Sequence, residues 1–398
     1  MQVTPNYGLD SIAAVLPAAA GALGVPLETS TGLDSMRCQA VLDLPSASRV
    51  VVVLCDGLGL ENLIERAGHA RFLRPRISGA RALSTTFPST TACALSTLGT
   101  GTAPGLTSML GYTQRNPQTG SLVNLVSFTE QTDPARAAIP GANASAPALS
   151  LPITSLQREP TVFEAIVAGG VPVTSIGLSR FAGSGMTAAA LRGGRFLGVD
   201  HVGRRVDAVL DALREPGLVY LYWGELDKVG HTEGYNSAKW GSALEVFDFE
   251  MARLAQSVPR GTLLLITADH GQIEVDFAQQ IDVAQVPALV NGVELVAGEP
   301  RALHVYTQDA ENVAAKWRAY LGERADVWTK REATAAGLLG PVAAHVDPWV
   351  GDVLAAPTGA VTIVDSRTQT PDSLRLKGVH GSLSTREMMI PLLTELRE

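Results

Sequence analysis

Four short runs of apolar residues, nearly uninterrupted and bounded by turn residues, set the strongest constraint on the fold. They are RVVVVLCDGLG (49–59), VPVTSIGL (171–178), GLVYLYWGELD (217–227) and GTLLLITADHG (261–271). Strands that are apolar on both faces belong to a sheet that is covered on both sides. Helical patterns lie between these runs, at 161–170, 204–215 and 242–258. The alternation predicts an α/β fold, a doubly wound and mostly parallel sheet with helices on both faces.

The pattern changes after residue 275 to a denser mixture of short segments, among them RALHVYT (301–307) and AENVAAKWRAYLG (310–322). The later segment GVHGSLS (378–384) has the character of the core again. We therefore expect a small inserted α+β subdomain at 276–375, with the main α/β core formed by 1–275 and 376–398.

Two further stretches affect the organisation of the chain. The segment Pro134 to Pro152 is rich in Ala, Pro and Ser and predicts a surface loop. The apolar stretch SIAAVLPAAAGALGV (11–25) is preceded by Asp10, and the first basic residue is Arg37, which is unlike a signal peptide. It predicts an amphipathic helix that is broken at Pro17.

Composition excludes several classes of partner. The chain has 31 basic and 39 acidic residues, a net charge of −8, and no Lys or Arg cluster that a nucleic-acid polymer would require. The longest uncharged run, Ala82 to Gln114, is filled with Ser, Thr, Gly and Pro and is a poor membrane helix. The 3 cysteines are too few for a disulfide framework. We therefore expect a cytoplasmic protein with no membrane partner.

Acidic residues and histidines follow the apolar runs. Asp56, Asp227 and Asp269 each come at the end of one run. In open α/β sheets, ligands bind at the carboxyl ends of the strands. His231 stands one helical turn after Asp227, and His270 follows Asp269 directly. His nitrogen and carboxylate oxygen are ligands that zinc prefers. Taken singly, Asp-Gly is typical of a turn, Asp-x-x-x-His of a solvated helix face and His-Gly of a loop. Their joint occurrence favours a metal site.

The segment ALSTTFPSTTACALSTLGTG (82–101) is rich in hydroxyl groups and carries no charge. Pro88 suits the first position of a helix. Hydroxyls beside a helix N-terminus, with its free N–H groups, favour an anion such as phosphate. The plainer alternative for any one of these residues is an N-capping Ser or Thr.

These motifs together resemble the type I phosphodiesterase and nucleotide pyrophosphatase branch of the alkaline phosphatase superfamily, from about Arg49 to Leu393. The motifs are DG at Asp56, TFPS at Thr86, DKVGH, ADHG and VHG at His380, in the family's order. The resemblance implies two metal ions, expected to be Zn²⁺. It assigns Asp227, His231 and His380 to one ion and Asp56, Asp269 and His270 to the other. Thr86 would be the nucleophile and would contact the second ion.

The resemblance also implies substrate contacts. Phe87 matches an aromatic residue that stacks on a nucleobase in related enzymes, although a core position is the alternative. Tyr112 stands where related enzymes carry an Asn that binds phosphate oxygens, so the contacts to those oxygens are open.

The implied function is a metal-dependent hydrolase that cleaves phosphodiester or pyrophosphate bonds of nucleotide-like small molecules. A phosphomonoesterase, phosphonate hydrolase or phosphomutase on the same metal frame is an alternative, as is a metal-binding module without turnover. A sulfatase is disfavoured, because Thr86, Pro88 and Thr90 occupy the positions of its formylglycine pattern.

Overall fold

The computed structural model describes residues 2–139 and 146–398. In chain order the strands are β1 (Arg49–Cys55), β2 (Arg81–Ser84), β3 (Thr113–Arg115), β4 (Leu122–Asn124), β5 (Thr129–Gln131), β6 (Val173–Gly177), β7 (Arg195–Gly198), β8 (Gly217–Trp223), β9 (Thr262–Thr267), β10 (Ile273–Glu274), β11 (Gln280–Asp282), β12 (Leu295–Glu299), β13 (Ala302–Tyr306), β14 (Ala325–Thr329), β15 (Val353–Pro357), β16 (Thr362–Val364), β17 (Gly378–Val379) and β18 (Met389–Leu396).

The α-helices are α1 (Val15–Ala22), α2 (Ser35–Val41), α3 (Leu60–Glu65), α4 (Thr91–Thr100), α5 (Pro104–Thr107), α6 (Ile153–Leu156), α7 (Val162–Ala168), α8 (Gly185–Ala190), α9 (Val202–Ala212), α10 (Glu225–Glu233), α11 (Ala238–Ser257), α12 (Pro287–Val290), α13 (Ala310–Leu321), α14 (Lys330–Ala335) and α15 (Thr385–Met388). Short 3₁₀ turns connect several of them. Among the described helices, none combines the length and the apolar character that crossing a bilayer requires.

The central sheet has 7 strands in the order β2-β18-β9-β1-β8-β6-β7. The run from β9 to β7 is parallel, whereas β18 pairs antiparallel with both β9 and β2. All residues of β9 and all but the first of β1 are buried, as expected for strands covered on both faces. The doubly wound, mostly parallel α/β fold predicted from the sequence is thereby confirmed.

Local sequence signals explain where the covering helices begin. Thr161 and Glu164 form a reciprocal capping box at the start of α7, and the Ser237 hydroxyl accepts from the Trp240 N–H at the start of α11. Helix α9 contacts α11, while α1 contacts α2 and α7. These helices bury the apolar sides that the sequence pattern indicated.

The segment 276–375 carries its own sheet, with the strand order β12-β13-β15-β14, together with helices α12 to α14. A separate apolar cluster, which includes Trp317, Val305 and Ile363, holds this part together. Strands β3 to β5 form another small sheet, and β3 contacts β12. The boundaries at 275 and 376 stay a prediction.

Two local predictions are wrong. Helix α1 runs through Pro17 without breaking, because Pro17 lies in its first turn, where no backbone N–H is needed. Every residue of α1 is buried, so the helix is not amphipathic. Asp227 does not end a strand but lies on α10, which follows β8. Of the loop predicted at Pro134 to Pro152, residues 140–145 lie outside the described part of the chain.

Candidate metal site

The acidic residues and histidines meet at the carboxyl ends of three neighbouring strands. Strand β1 lies between β8 and β9 in the sheet, and Asp56 follows β1 while Asp269 and His270 follow β9. Asp227 and His231 lie on α10, directly after β8. His380 follows β17, which pairs with β10 and so returns to this edge of the core.

Asp56, Asp269 and His270 form a compact buried group. The His270 Nε2 lies 3.5 Å from Asp56 Oδ1 and 3.5 Å from Asp269 Oδ2. Those two carboxylate oxygens are buried and have no hydrogen-bond partner among the described residues. Buried carboxylate oxygens normally have a hydrogen-bond donor or a cation as partner. A bound cation would supply the partner that these two oxygens lack.

Asp227 is the centre of a second group. Its carboxylate lies 3.2 Å from His231 Nε2 and 3.8 Å from His380 Nε2. In the described part of the chain, the ligand atoms that lie within 4.8 Å of one another belong to Asp56, Asp269 and His270 in one group and to Asp227, His270 and His380 in the other. His270 is therefore common to both groups, and His231 adjoins the second through Asp227.

Backbone carbonyls fix the orientation of these imidazoles. The Nδ1–H of His231 donates to Gly378 O at 2.7 Å, and that of His380 donates to Ser89 O at 2.9 Å. This turns the Nε2 atoms toward the carboxylate of Asp227. Metal-binding histidines are commonly oriented in this way.

Ser89 ties the loop that carries His380 to the hydroxyl-rich turn. Its hydroxyl donates to Ser382 O at 2.8 Å and accepts from the Gly381 N–H at 3.1 Å. The turn and the loop are thus held in one rigid arrangement.

The three carboxylates of the site repel one another, and a bound cation would offset their charge. Burial raises the pKa of Asp56 well above its ordinary range, and the charges of Asp269 and Asp227 add to this. Burial likewise raises the pKa of Asp269, with a further contribution from Asp227. No described ion pair joins these three carboxylates to a Lys or Arg. A divalent cation would remove the mutual repulsion.

The histidines respond to the same charges. Burial lowers the pKa of His231, but the Asp227 carboxylate outweighs it and raises the pKa to about 9. Burial also opposes ionisation of Asp227, yet the neighbouring His231 brings its pKa below the ordinary value. For His380, burial and then the nearby His270 lower the pKa well below the usual range. The residues present therefore fit a site for divalent metal ions with His and Asp ligands.

Two polar side chains next to the ligands were not found from the sequence. The Tyr222 hydroxyl donates to Asp56 Oδ2, and the Gln272 amide donates to Asp227 Oδ1. Tyr222 lies in the apolar run of β8 and Gln272 lies just after that of β9. Neither residue type is typical of a metal-site motif, so the sequence did not single them out.

The hydroxyl-rich turn differs in register from the predicted one. Helix α4 begins at Thr91, not at Pro88. Thr86 is fully buried, and its hydroxyl donates to Pro88 O at 2.6 Å. The Thr91 Oγ1 instead lies 3.2 Å from His270 Nε2. Two ligands of one metal at about 2.0–2.2 Å have a separation of this size. The assignment of Thr86 to the metal and to the nucleophile stays a prediction.

Phe87 does not present a free ring to the site. It is 1% exposed and meets the Trp328 ring edge-on, with the centroids 6.3 Å apart. Phe87 therefore occupies a core position in this structure, and a stacking role has no open face to use.

Tyr112 does lie at the site. It is 42% exposed and lines a cavity of about 310 Å³ that also touches Thr90, His231 and His380. Its N–H donates to Oε2 of Glu299 at 2.6 Å. Glu299 was not singled out in the sequence, because a lone Glu in the segment 276–375 carries no motif.

Comparison with known proteins agrees with this geometry. A family model described as type I phosphodiesterase/nucleotide pyrophosphatase matches residues 50–383. A solved structure of murine ectonucleotide pyrophosphatase/phosphodiesterase 5, an inactive form in complex with AMP, is similar with a TM-score of 0.64 at 14% identity, covering 86% of this chain and 87% of that one. Phosphonoacetate hydrolase from Sinorhizobium meliloti 1021 in complex with phosphonoacetate is similar with a TM-score of 0.66 at 19% identity, covering 93% of each chain.

At these identities the two solved structures establish the shared fold alone. No protein in the curated collection matches the chain significantly. The family model spans most of the sequence, from the first strand of the sheet to the loop after His380. The chain therefore belongs to the type I phosphodiesterase/nucleotide pyrophosphatase family, a family of metal-dependent enzymes.

Proposed function

We propose that this protein hydrolyses phosphodiester or pyrophosphate bonds of small, nucleotide-like molecules, using two divalent metal ions and a threonine nucleophile. One observation carries the proposal. A threonine hydroxyl at the start of α4 lies within 3.2 Å of a histidine that belongs to both buried ligand groups. The proposed nucleophile, the ligand groups whose metal ions would activate it and the start of helix α4 therefore lie next to one another.

Asp56, Asp269 and His270 would hold one ion, and Asp227, His231 and His380 the other. Zn²⁺ is the ion we propose, because imidazole nitrogen and carboxylate oxygen suit it and the sites offer three protein ligands each. When bound, the ions supply Lewis-acid stabilisation of phosphoryl oxygens and activation of a hydroxyl at neutral pH.

Thr91 is the better candidate for the nucleophile than Thr86. The Thr86 hydroxyl is already donated to Pro88 O, whereas Thr91 is the first residue of α4 and is half-buried beside His270. In the proposed reaction the Thr91 oxygen forms a bond to phosphorus, and the bond from phosphorus to the leaving oxygen breaks. Water then cleaves the phospho-threonine and returns the free hydroxyl.

The start of α4 would bind the nonbridging oxygens of the substrate. Helix α4 has 10 residues, and Thr90, at its N-cap, makes no side-chain capping bond. The free N–H groups of the first turn and the helix dipole favour an anion at this end. The described residues that line the adjoining cavity include no Lys or Arg, so the start of α4 is the contact that we propose for these oxygens.

The segment 276–375 would act as a cap over the site and supply part of the substrate pocket. The Thr113 hydroxyl donates to Gly298 O at 3.0 Å and accepts from the Gly298 N–H at 2.9 Å. These two bonds tie β12 of the segment to β3, which supports this placement. Neither His304 nor His345 of this segment belongs to a described metal-ligand group. We also propose a cytoplasmic location, which the three free and buried cysteines support.

The test is turnover by the zinc-loaded protein of bis-p-nitrophenyl phosphate, p-nitrophenyl phosphate and phosphonoacetate under identical conditions. We expect the highest kcat/KM for the diester, because the described residues that line the adjoining cavity include no Lys or Arg to pair with the extra charge of a monoester. Preference for the monoester would make the protein a phosphatase, and turnover of phosphonoacetate alone a phosphonate hydrolase. Metal binding without turnover of any of the three would leave a binding module.

A further inference from the structure

The turn between β12 and β13 places an arginine in the interior of the protein. Arg301 belongs to the segment 276–375, yet its side chain is fully buried and pairs with Glu387, the third residue of α15. The pair is bidentate, because the arginine Nε donates to Oε1 at 3.0 Å and Nη2 donates to Oε2 at 2.7 Å. Its Nη1 donates to Val361 O at 2.5 Å. An ion pair shielded from water thus joins the segment to the core.

The carboxylate of Glu387 also holds the loop that carries His380. Its Oε1 accepts from the Ser382 N–H at 3.0 Å, and its Oε2 accepts from the Ser384 hydroxyl at 2.5 Å. Ser382 lies two residues after His380. The arginine and the loop therefore bind the same two oxygens, and loss of this carboxylate would leave the Ser382 N–H without its acceptor.

The main chain of Glu387 reaches the other ligand group. Its carbonyl oxygen accepts from the Gly271 N–H at 3.0 Å, and Gly271 directly follows His270. The approach is close, since a Cβ added at Gly271 would lie 1.9 Å from Arg386 O. One residue of α15 is therefore bonded both to the chain that follows His270 and to the chain that follows His380.

The segment that contains Arg301 makes a second tie to the same loop. The Ser382 hydroxyl donates to Pro357 O at 2.7 Å, at the end of β15. Gly381 has a φ of +136° and permits a close approach, because an added Cβ would lie 3.2 Å from Arg301 Cβ. The segment therefore packs directly against the residues that follow the metal-ligand histidine of this loop.

We propose that Arg301 and Glu387 are positioning residues of the metal site. Their buried pair fixes the loop that carries His380, so the segment 276–375 determines how tightly one of the two ions is held. The described ligand groups contain neither residue, and the pair acts through the Ser382 N–H. The inference rests on the proposed function, because it takes the two metal ions from it.

The physical reason is preorganisation of the ligands. If the His380 loop could move, zinc binding would have to order it, and that ordering would cost binding free energy. Residues that orient metal ligands change the metal affinity about 10–100-fold when they are substituted. The effect should fall unequally on the two ions. The bond from the Gly271 N–H uses the main chain of Glu387 and does not depend on its side chain.

The test is zinc titration of the metal-free protein in competition with a chromogenic chelator, which gives a Kd for each ion. In the double Met variant, Arg301→Met with Glu387→Met, no unpaired charge is left buried, so the chain can fold. Far-UV circular dichroism checks this. We expect the ion that His380→Gln weakens more to bind about 10–100-fold less tightly in this variant, and the other ion to change less than about threefold.

A conservative variant and a control separate positioning from a general loss of packing. The Met–Gln variant, Arg301→Met with Glu387→Gln, keeps a neutral acceptor for the Ser382 N–H, so its Kd should be intermediate. The control, Arg253→Met with Glu250→Met, removes another arginine–glutamate pair, which lies on α11 at 2.8 Å. Within the described chain, no hydrogen bond of that pair reaches a ligand loop. It should leave both Kd values unchanged.

The outcomes distinguish the inference from the proposed function. If the unmodified protein binds no zinc, the proposed function is overturned. If it binds two ions and the double Met variant binds both with unchanged Kd values, only the inference is overturned. Equal weakening of both ions also overturns it, because positioning through one loop predicts unequal effects. Should the double Met variant not fold, the same comparison of the two Kd values in the Met–Gln variant decides.

Discussion

The imidazole rings of His270 and His380 are stacked, with their centroids 3.5 Å apart and their planes 15° from parallel. One ring follows a strand of the central sheet, and the other comes from the loop near the C-terminus. Their contact joins the two ligand groups into one buried site. Loss of either ring should therefore affect both ions.

Metal content is the first prediction. We expect the protein to contain about two divalent ions per chain, and His380→Gln to reduce this to about one or less, because a ligand and its ring contact are removed. Metal analysis of the purified protein by mass spectrometry measures this. His201→Gln, at an exposed histidine before α9, is the matched control and should keep both ions. Equal metal content in the two variants would contradict the assignment of His380 as a metal ligand.

The nucleophile is the second prediction. Thr91→Ala should lower kcat for the diester by at least about 10³-fold, since covalent catalysis is lost, while metal content stays close to that of the unmodified protein. Thr91→Ser should retain part of the activity.

Thr86→Ala is the matched comparison for that experiment. Within the described chain its hydroxyl bonds to Pro88 O alone, so we expect a modest loss of stability of about 1 kcal/mol and continued turnover. If Thr86→Ala is inactive with full metal content and Thr91→Ala turns over normally, the assignment must return to Thr86.

The third prediction concerns the packing of helix α4 against helix α8. A Cβ at Gly99 would lie 1.7 Å from Ala190 O, where α4 meets α8. Gly99→Ala should therefore lower the free energy of unfolding by about 2–4 kcal/mol. Gly68→Ala, at an exposed glycine with no atom within 4 Å of the added Cβ, should change it by less than about 0.5 kcal/mol. Denaturant unfolding measures both, and equal effects would show that α4 and α8 can move apart.

His304 provides the fourth prediction, on pH and stability. It is buried, donates from Nε2 to Leu110 O at 3.0 Å and accepts at Nδ1 from Gly351 N at 3.0 Å, so it is held neutral. Burial lowers its pKa from 6.5 to about 4. The unfolded chain therefore binds more protons between these values, and stability falls as the pH falls through that window.

The size of that effect can be measured against a variant. Lowering the pH from 7.5 to 5 should cost the unmodified protein about 2 kcal/mol at His304. His304→Gln should be less stable at both pH values but should lack this part of the acid dependence. His201→Gln should keep it. An unchanged pH dependence in His304→Gln would show that His304 does not titrate between folded and unfolded states in this way.

The central sheet, and the acidic residues and histidines that meet at its edge, could be predicted from sequence because each rests on a strong local signal. Val50 to Cys55 and Leu263 to Ile266 are apolar at every position, which only a sheet covered on both faces explains. Asp56 follows the first of these strands, and Asp269 and His270 follow the second, so a correct strand fixes the position of these three residues. Asp227, His231 and His380 follow neither strand. Pro17 was misread because a helix tolerates proline in its first turn, and a local pattern does not show where that turn begins.

The hydroxyl that lies beside His270 and the adjoining cavity could not be predicted in the same way. Thr86, Thr90 and Thr91 are chemically alike, and only the position of the first turn of α4 decides which hydroxyl meets His270. Glu299 reaches the site because β12 packs beside β3, a contact between segments that are distant in sequence. No spacing within the chain reports such a contact.

The ties between Ser89 and the loop at His380 also determine when the site can exist. Strand β18 lies between β2 and β9, so the sheet has a gap until residues 389–396 have been made. On the ribosome, Asp56, Thr91 and His270 all emerge before His380 and before that strand. A nascent chain therefore carries most of the reactive groups but cannot align them. The proposed hydrolysis would therefore have to wait for the synthesis of His380 and of residues 389–396.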